Sequence, residues 1–290
     1  MQDTNRRVTL RSATPADAEV TSRICFEAFS DISRRHNFPP DFPAPEVAAG
    51  VMGMILNAPF VWGVVAEHNG RVVGSNFLWE WEPIAGVGPV TVDPSAQDLS
   101  VGRRMMEAVM QRAAERRFAG VRLVQAGYNT RSLSLYTKLG FDVREPLVCL
   151  NGDPVREAVP GHDVRPAAPA DLDACADVCR RVHGHDRTDE LSSSIARGTA
   201  RVVEQAGRVV GYMSELGFFG HCVALTNDGL RALIGGGDRI TGPGMLLPSR
   251  NGEVFRWCLS KGLKHVQPLT LMSHGLYNEP RGAFMPSILY

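Results

Sequence analysis

Val90-Thr-Val-Asp-Pro94 reads as the end of a strand, and Ser95-Ala-Gln-Asp-Leu-Ser-Val-Gly-Arg-Arg-Met-Met106 carries the chain into a helix. Val101, Met105, Ala108, Val109 and Ala113 keep helical spacing and predict one buried face. The first N–H groups of a helix have no partners inside it, and its aligned peptide dipoles favour negative charge there, so the loop ahead of this helix suits a phosphate or diphosphate. Gly102 lets a ligand approach the backbone closely, and Arg103 and Arg104 offer charge-assisted donors to phosphate oxygens. Arginines near a helix start are also ordinary solvated surface. The loop alone therefore points to an anion without naming one.

A loop of this kind needs a strand and a helix to hold it, and the pattern supplies both. The first half reads as a strand over 7–11, helices over 15–30 and 45–57, a hairpin with strands over 60–67 and 71–82, and a strand over 86–93. A helix over 101–117, a strand over 121–126, a helix over 129–139 and a strand over 141–150 follow. The fold class is mixed α/β (α+β), a mostly antiparallel mixed sheet flanked by helices, with a strand-helix-strand crossover in its later part.

The pattern then repeats. Arg11-Ser-Ala-Thr-Pro-Ala-Asp17 recurs as Arg165-Pro-Ala-Ala-Pro-Ala-Asp171, with Cys25 and Cys179 equally far downstream. Glu67-His-Asn-Gly-Arg-Val-Val-Gly74 recurs as Glu204-Gln-Ala-Gly-Arg-Val-Val-Gly211. Asn129, Tyr136 and Gly140-Phe141 are matched by Asn251, Cys258 and Gly262-Leu263. Each match alone is common turn and cap chemistry, but three in one order indicate a duplication. The expected domains are 1–152 and 162–290, with a linker rich in Gly, Asp and Pro near 151–162.

Bulk properties agree with two soluble domains: 290 residues, 44% hydrophobic and 21% charged, exclude a disordered or fibrous chain. Lys plus Arg and Asp plus Glu both total 31, so no net field recommends nucleic acid or an anionic membrane as partner. The opening residues lack the apolar core of a signal peptide and no run of apolar residues is long enough to span a bilayer, so a cytoplasmic location is expected. Six scattered cysteines suit reduced thiols. Cys175 and Cys179 with His183 and His185 invite a metal reading, but the spacing is loose for zinc and no metal is expected. Gly235-Gly-Gly-Asp238 and Gly242-Pro-Gly244 read as a flexible connection. The tail from Gly275 to Tyr290 is β-compatible and expected to complete a sheet or line a cleft between domains.

Gln97-Asp-Leu-Ser-Val-Gly102, preceded by Val92-Asp-Pro94, resembles the Q/R-x-x-G-x-G/A acetyl-CoA loop of the GNAT superfamily of N-acetyltransferases. Asn129-Thr-Arg-Ser-Leu-Ser-Leu-Tyr-Thr-Lys-Leu-Gly-Phe141 resembles its second signature, N-x-x-(A/S)-x-x-x-Y-x-K-x-G-F. The resemblance implies two GNAT-like domains, the first catalytic over 1–152 and the second without a cofactor loop. It implies acetyl-CoA as acyl donor, held by the backbone of Leu99, Ser100, Val101, Gly102, Arg103 and Arg104 with Gln97, Asn129 and Ser132, and a direct transfer in which Tyr136 protonates the leaving sulfur. An amide near Val90 or Val92 would polarise the thioester, and Glu80 or Glu82 would take the amine's proton. Ser100 stands where the family usually has its first loop glycine. The resemblance implies a small-molecule primary amine as acceptor, neither nucleic acid nor membrane as partner, and a monomer or homodimer. A non-catalytic acyl-CoA-binding or sensory module and a protein N-acetyltransferase are the alternatives.

Overall fold

The computed structural model describes residues 8–289, so the strand expected over 7–11 begins, at Arg7, outside the described residues. In chain order the first repeat forms Thr9–Ser12 (β1), Ala18–Arg35 (α1), Pro45–Asn57 (α2), Val61–His68 (β2), Arg71–Trp79 (β3), Ile84–Val87 (β4) and Thr91–Val92 (β5). Val101–Glu115 (α3), Gly120–Ala126 (β6), Thr130–Lys138 (α4) and Asp142–Asn151 (β7) complete it. The second repeat forms Asp163–Pro166 (β8), Leu172–His183 (α5), Thr188–Ala196 (α6), Arg201–Gln205 (β9), Arg208–Met213 (β10), Cys222–Ala224 (β11) and Asn227–Gly235 (α7). It ends with Met245–Pro248 (β12), Gly252–Ser260 (α8), Lys264–Gly275 (β13) and Ala283–Met285 (β14). The expected mixed α/β class is the observed one.

Packing divides the chain into two compact units, one running through Leu123 and including Asn129–Phe141, the other made of Val124–Tyr128 and everything from Asp142. The first unit orders its strands β1-β2-β3-β4-β6, with β5 also on β3. Only β4 and β6 run parallel there, as a crossover through α3 requires. The second unit holds a five-stranded sheet, β14-β11-β10-β9-β8, and the antiparallel set β13-β7-β12. Thus β7, last strand of the first repeat, is flanked by two strands of the second, and its Val148 and Leu150 join a core with Leu230, Met245 and Leu263. The end of the first repeat's β6 lies in the same unit, where the Gly127 N–H donates to Pro268 O at 2.9 Å. Chain order places the break near residue 152; packing places it one strand earlier. Exchanged final strands satisfy the same ladder bonds as unexchanged ones, and periodicity carries no mark of which neighbour a strand takes.

The repeats match in detail. Arg11 binds Asp17 at 2.7 Å and Glu67 at 2.8 Å, and Arg165 binds Asp171 at 2.7 Å and Glu204 at 2.5 Å. Asn69-Gly70 and Ala206-Gly207 turn their hairpins with positive φ throughout (51° and 72°, 50° and 72°), the geometry that puts glycine in such turns. Asn129 and Asn251 accept from Ser132 N at 3.1 Å and Val254 N at 3.4 Å, capping α4 and α8.

Other expectations change. The strand expected over 86–93 is interrupted, because Gly88, Pro89 and Val90 lie opposite only Asn76 and Phe77 between the Leu78↔Val87 and Ser75↔Thr91 pairs. Proline has no N–H for the ladder, so this is a bulge. Helix α1 continues past residue 30 to Arg35. The Gly235–Gly237 stretch is packed: a Cβ on Gly235 would strike the Glu157 carbonyl, and one on Gly236 would lie 2.7 Å from Val164 Cγ1. The tail completes the second sheet through β14 beside β11. All six cysteines are buried and unbridged. No group of three or more His, Cys, Asp or Glu that could hold a metal occurs among the described residues, and none of their helices is long and apolar enough to cross a membrane.

The Arg11 guanidinium, against burial, holds the Asp17 carboxyl down to about 2 from an ordinary 3.8, helped by the Thr14 N–H. A depressed carboxylate adds stability above about pH 4 that is lost as the pH falls towards 2. With Arg11 40% exposed, solvent screening leaves about 1 kcal/mol for the pair. We expect Arg11→Met to lose about that much at pH 7 and to flatten the acid limb of stability. Urea melts at pH 7, 4 and 3 measure this, and an unchanged acid limb would contradict it.

Candidate active site

The loop after β5 starts with Asp93, whose Oδ1 accepts from Ser95 N at 2.9 Å and Ser95 Oγ at 2.6 Å and so opens a 3-10 turn over Pro94–Leu99. Ser100 then takes a left-handed backbone (φ 58°, ψ 21°) and α3 begins at Val101. This reversal aims the first turn of α3, and it is why glycine suits the position. The Ser100 side chain makes no cap bond; its contribution is conformational. Val101, Met105, Met106 and Val109 are fully buried beneath α3. The helix can sit this low because a Cβ on Gly74 of β3 would fall 2.7 Å from Thr91 O and 3.0 Å from Met105 Cε.

A cleft of about 770 Å³ opens within the first unit between α1, the β5 end, the loop and α4. It gathers Val90, Val92, Gln97, Ser100, Gly102, Arg103, Asn129, Ser132 and Tyr136, residues that lie far apart in the sequence. A Cβ on Gly102 would stand 3.6 Å from Val92 and 3.7 Å from Leu135, both wall residues, so a bulky side chain there would project among the cleft's own walls.

Several expected residues are not in the cleft wall. The Leu99 side chain is exposed and Val101 lies under the helix. Arg104 turns away and donates to the Val8 carbonyl. Glu80 is bound by Arg112, Nε to Oε1 at 2.6 Å, with Arg116 Nε 3.6 Å from its Oε2. Glu82 is exposed, just before Pro83, and does not line the cleft either. The strand expected over 71–82 would have carried Glu80 and Glu82; β3 ends at Trp79, and α3 supplies arginines that take up the first carboxylate.

Tyr136 is buried on α4, 7% exposed. Burial, only partly opposed by a hydrogen bond with Ser132, pushes its phenol up to about 12. The group is therefore protonated at neutral pH, the state of a proton donor. Asn129 Oδ1 is spent on capping α4, so the residue shapes the helix that carries Tyr136.

The sequence did not reveal the α1 wall, where Ala28, Phe29, Ile32, Arg35 and His36 border the cleft. Nor did it reveal Arg131, which donates from Nη2 to Gln97 O at 2.5 Å and from Nη1 to Gln97 Oε1 at 3.2 Å, tying α4 to the loop. Arg35, Arg103, Arg131 and Lys138 border the cleft; among the described side chains Asp31 pairs with Arg34 and Arg35, and Arg103 Nε lies 2.8 Å from Glu107 Oε1. A chain of zero net charge thus concentrates an anion-favouring field in one place.

The second repeat lacks this construction. Only residues 225–226 separate β11 from α7, against 93–100 between β5 and α3. Thr226 caps α7 through Gly229 N at 3.2 Å, and the Glu253 carboxylate of α8 binds Asn227 and Arg231, each at 2.7 Å, beside the helix start. Buried Cys258 stands in the place of Tyr136.

Ser100→Gly is expected to relieve the left-handed serine, a gain of about 1 kcal/mol and a rise in melting temperature of roughly 2–4 °C. Calorimetry of both proteins measures it. A lower melting temperature would mean that the serine side chain contributes more than its backbone costs.

Comparison with known proteins converges on one family. Residues 27–141 match the acetyltransferase (GNAT) family model. The chain is 26% identical over 157 residues to the D-amino-acid N-acetyltransferase HPA3 of Saccharomyces cerevisiae, covering 51% of this chain and 93% of that protein. It is 34% identical over 90 residues to the mycothiol acetyltransferase of Amycolatopsis mediterranei, covering 28% and 30% of the two. In fold it is similar to a Pyrococcus horikoshii protein assigned to the acetyltransferases, with a TM-score of 0.70 at 16% identity over 100% of this chain and 94% of that one. It is also similar to a GCN5-related N-acetyltransferase from Sphaerobacter thermophilus, with a TM-score of 0.60 at 16% identity over 94% and 96%. Both the loop and the helix signatures lie in the matched segment and wall a single cleft, so it is residues 27–141 that carry the likeness to the acetyltransferase (GNAT) family.

Proposed function

We propose that the protein transfers an acetyl group from acetyl-CoA to a primary amine of a small molecule, in the cleft of the first unit. The observation that carries this reading is the pairing, in one cleft, of a helix start bordered by cations with a buried, protonated tyrosine. The donor set fits the substrate: α3 N-terminal amides, Arg103 and Arg131 suit a diphosphate, while Val90, Val92, Ile32 and Leu135 suit an uncharged arm. Two relatives named for D-amino acids and for mycothiol support a small acceptor over a protein.

In this reading the bulge at Gly88–Val90 frees a strand amide to polarise the thioester carbonyl. The amine nitrogen bonds to that carbon, the carbon–sulfur bond breaks, and Tyr136 gives its proton to the departing sulfur. The cleft holds both partners at once, so no covalent enzyme intermediate is required. Ser100 adopts the left-handed conformation that a glycine would take there, which supports the catalytic reading over a non-catalytic binding module. The second repeat, with its loop shortened and Glu253 at the corresponding helix start, serves as a structural partner without a donor site.

Release of free CoA thiol with a panel of small amines tests the reading. Tyr136→Phe is expected to lower kcat about 100-fold or more, with acetyl-CoA affinity unchanged. Wild-type turnover in the variant would remove Tyr136 as the acid.

A further inference from the structure

The strand break at Gly88–Val90, where the transfer reading above puts the polarising amide, is held by two side chains of β3. In an antiparallel ladder a hydrogen-bonded pair of residues exchanges two bonds, each N–H donating to the other's carbonyl. Phe77 and Gly88 make one of them: the Gly88 N–H donates to Phe77 O at 2.9 Å. The return bond would join the Phe77 N–H to Gly88 O. That N–H donates instead to Asn76 Oδ1 at 2.8 Å, and Gly88 O accepts from Trp79 Nε1 at 2.8 Å. Two side chains thus take over both ends of one ladder bond, so a buried N–H and a buried carbonyl stay satisfied while the strands part.

Both side chains are fixed by their surroundings. Asn76 is fully buried, with its Nδ2 3.3 Å from Met106 Sδ and 3.5 Å from Met105 O of α3. Trp79 is 2% exposed, its ring 5.3 Å from that of Trp81 and 5.9 Å from that of Phe60. A regular ladder would need neither polar group, and burying an amide and an indole N–H costs desolvation unless each is bonded. At the break the Gly88 N–H is spent and Pro89 has none, which leaves the amide of Val90, a residue that borders the cleft together with Tyr136.

We propose that Asn76 and Trp79 are positioning residues for the transfer: they hold the ladder open at Phe77 and Gly88 and so aim the Val90 amide at the thioester carbonyl. Bulges beside active sites re-aim groups in this way. Asn76 also ties the break to α3, whose first turn faces the donor's diphosphate in the same reading.

The test uses acetyl-CoA isotope-labelled at its thioester carbonyl and follows the carbonyl stretch of the bound donor by infrared difference spectroscopy. Wild type is compared with Trp79→Phe, Asn76→Ala and the double variant, alongside kcat, calorimetric titration of acetyl-CoA and melting curves. Trp79→Phe keeps an aromatic ring and removes the N–H; Asn76→Ala releases the Phe77 N–H to Gly88. The expected stretch lies at lower frequency in wild type than in either variant, because only there is the carbonyl polarised. Each single change lowers kcat about 10-fold or more, with donor affinity within about twofold of wild type. The double variant is no slower than the slower single one, because both changes close the same gap. Each single variant reports on the gap by itself, so if one fails to fold the other decides. An unchanged stretch, an unchanged kcat, or losses that multiply in the double variant would overturn the proposal by showing that the two side chains only pack. A wild-type protein that binds acetyl-CoA but acetylates no amine would overturn the transfer reading, while the infrared comparison, which needs no amine, would still decide whether these residues aim the amide.

Discussion

The seating of α3 on β3 determines what the first unit can do. Gly74 has no side chain, and the space its Cβ would take is filled by the Thr91 carbonyl, Met105 and Val101. That contact sets the helix close against the strand, which brings its first turn level with the end of β5. Interiors are packed to crystal-like density, so a single added methyl group there would lift the helix and every amide at its start. From this seat follow the left-handed Ser100, the cleft-facing Gly102 and the division of labour between Arg103, beside the cleft, and Arg104, bound to Val8.

The second repeat keeps the frame and discards the opening. Its arginine–aspartate–glutamate cluster, hairpin turn and asparagine cap reproduce those of the first almost atom for atom. The loop before α7 has gone, and the unpaired end of that helix is served by Thr226 and faced by Glu253. Framework interactions are locally satisfied and survive duplication. A wide loop that leaves helix amides open to an anion confers no stability, and nothing retains it once a ligand is no longer bound there. The exchange of β7 follows the same logic: its ladder partners β13 and β12 offer the bonding groups that its own repeat would have offered.

Legibility from the sequence tracked the range of the interactions. The loop, α3 and α4 were readable because cap, glycine and periodicity signals lie within a few residues of each other, and Tyr136 came with its helix. The bulge was hidden because Gly88-Pro-Val90 continues an apolar run that reads as one strand, and only the pairing with Asn76 and Phe77 reveals three residues against two. The partners of Glu80 were hidden for a comparable reason: Arg112 and Arg116 reach it from a helix thirty-odd residues later. Arg131 sat inside a recognised motif at a position the motif leaves unspecified, yet it is the residue that fastens α4 to Gln97. His36 and the α1 wall had no local signal, since helical periodicity predicts which face is buried but not which part of the rim borders a cleft formed by strands and helices distant in sequence.

The central claim is that one helix start, in the first repeat, is open to a diphosphate-bearing donor and that its counterpart is closed. Isothermal titration of acetyl-CoA into the full chain tests it most directly. The account predicts one site per chain, abolished by Gly102→Trp with the fold retained. Two sites per chain, or one site indifferent to Gly102→Trp, would contradict it.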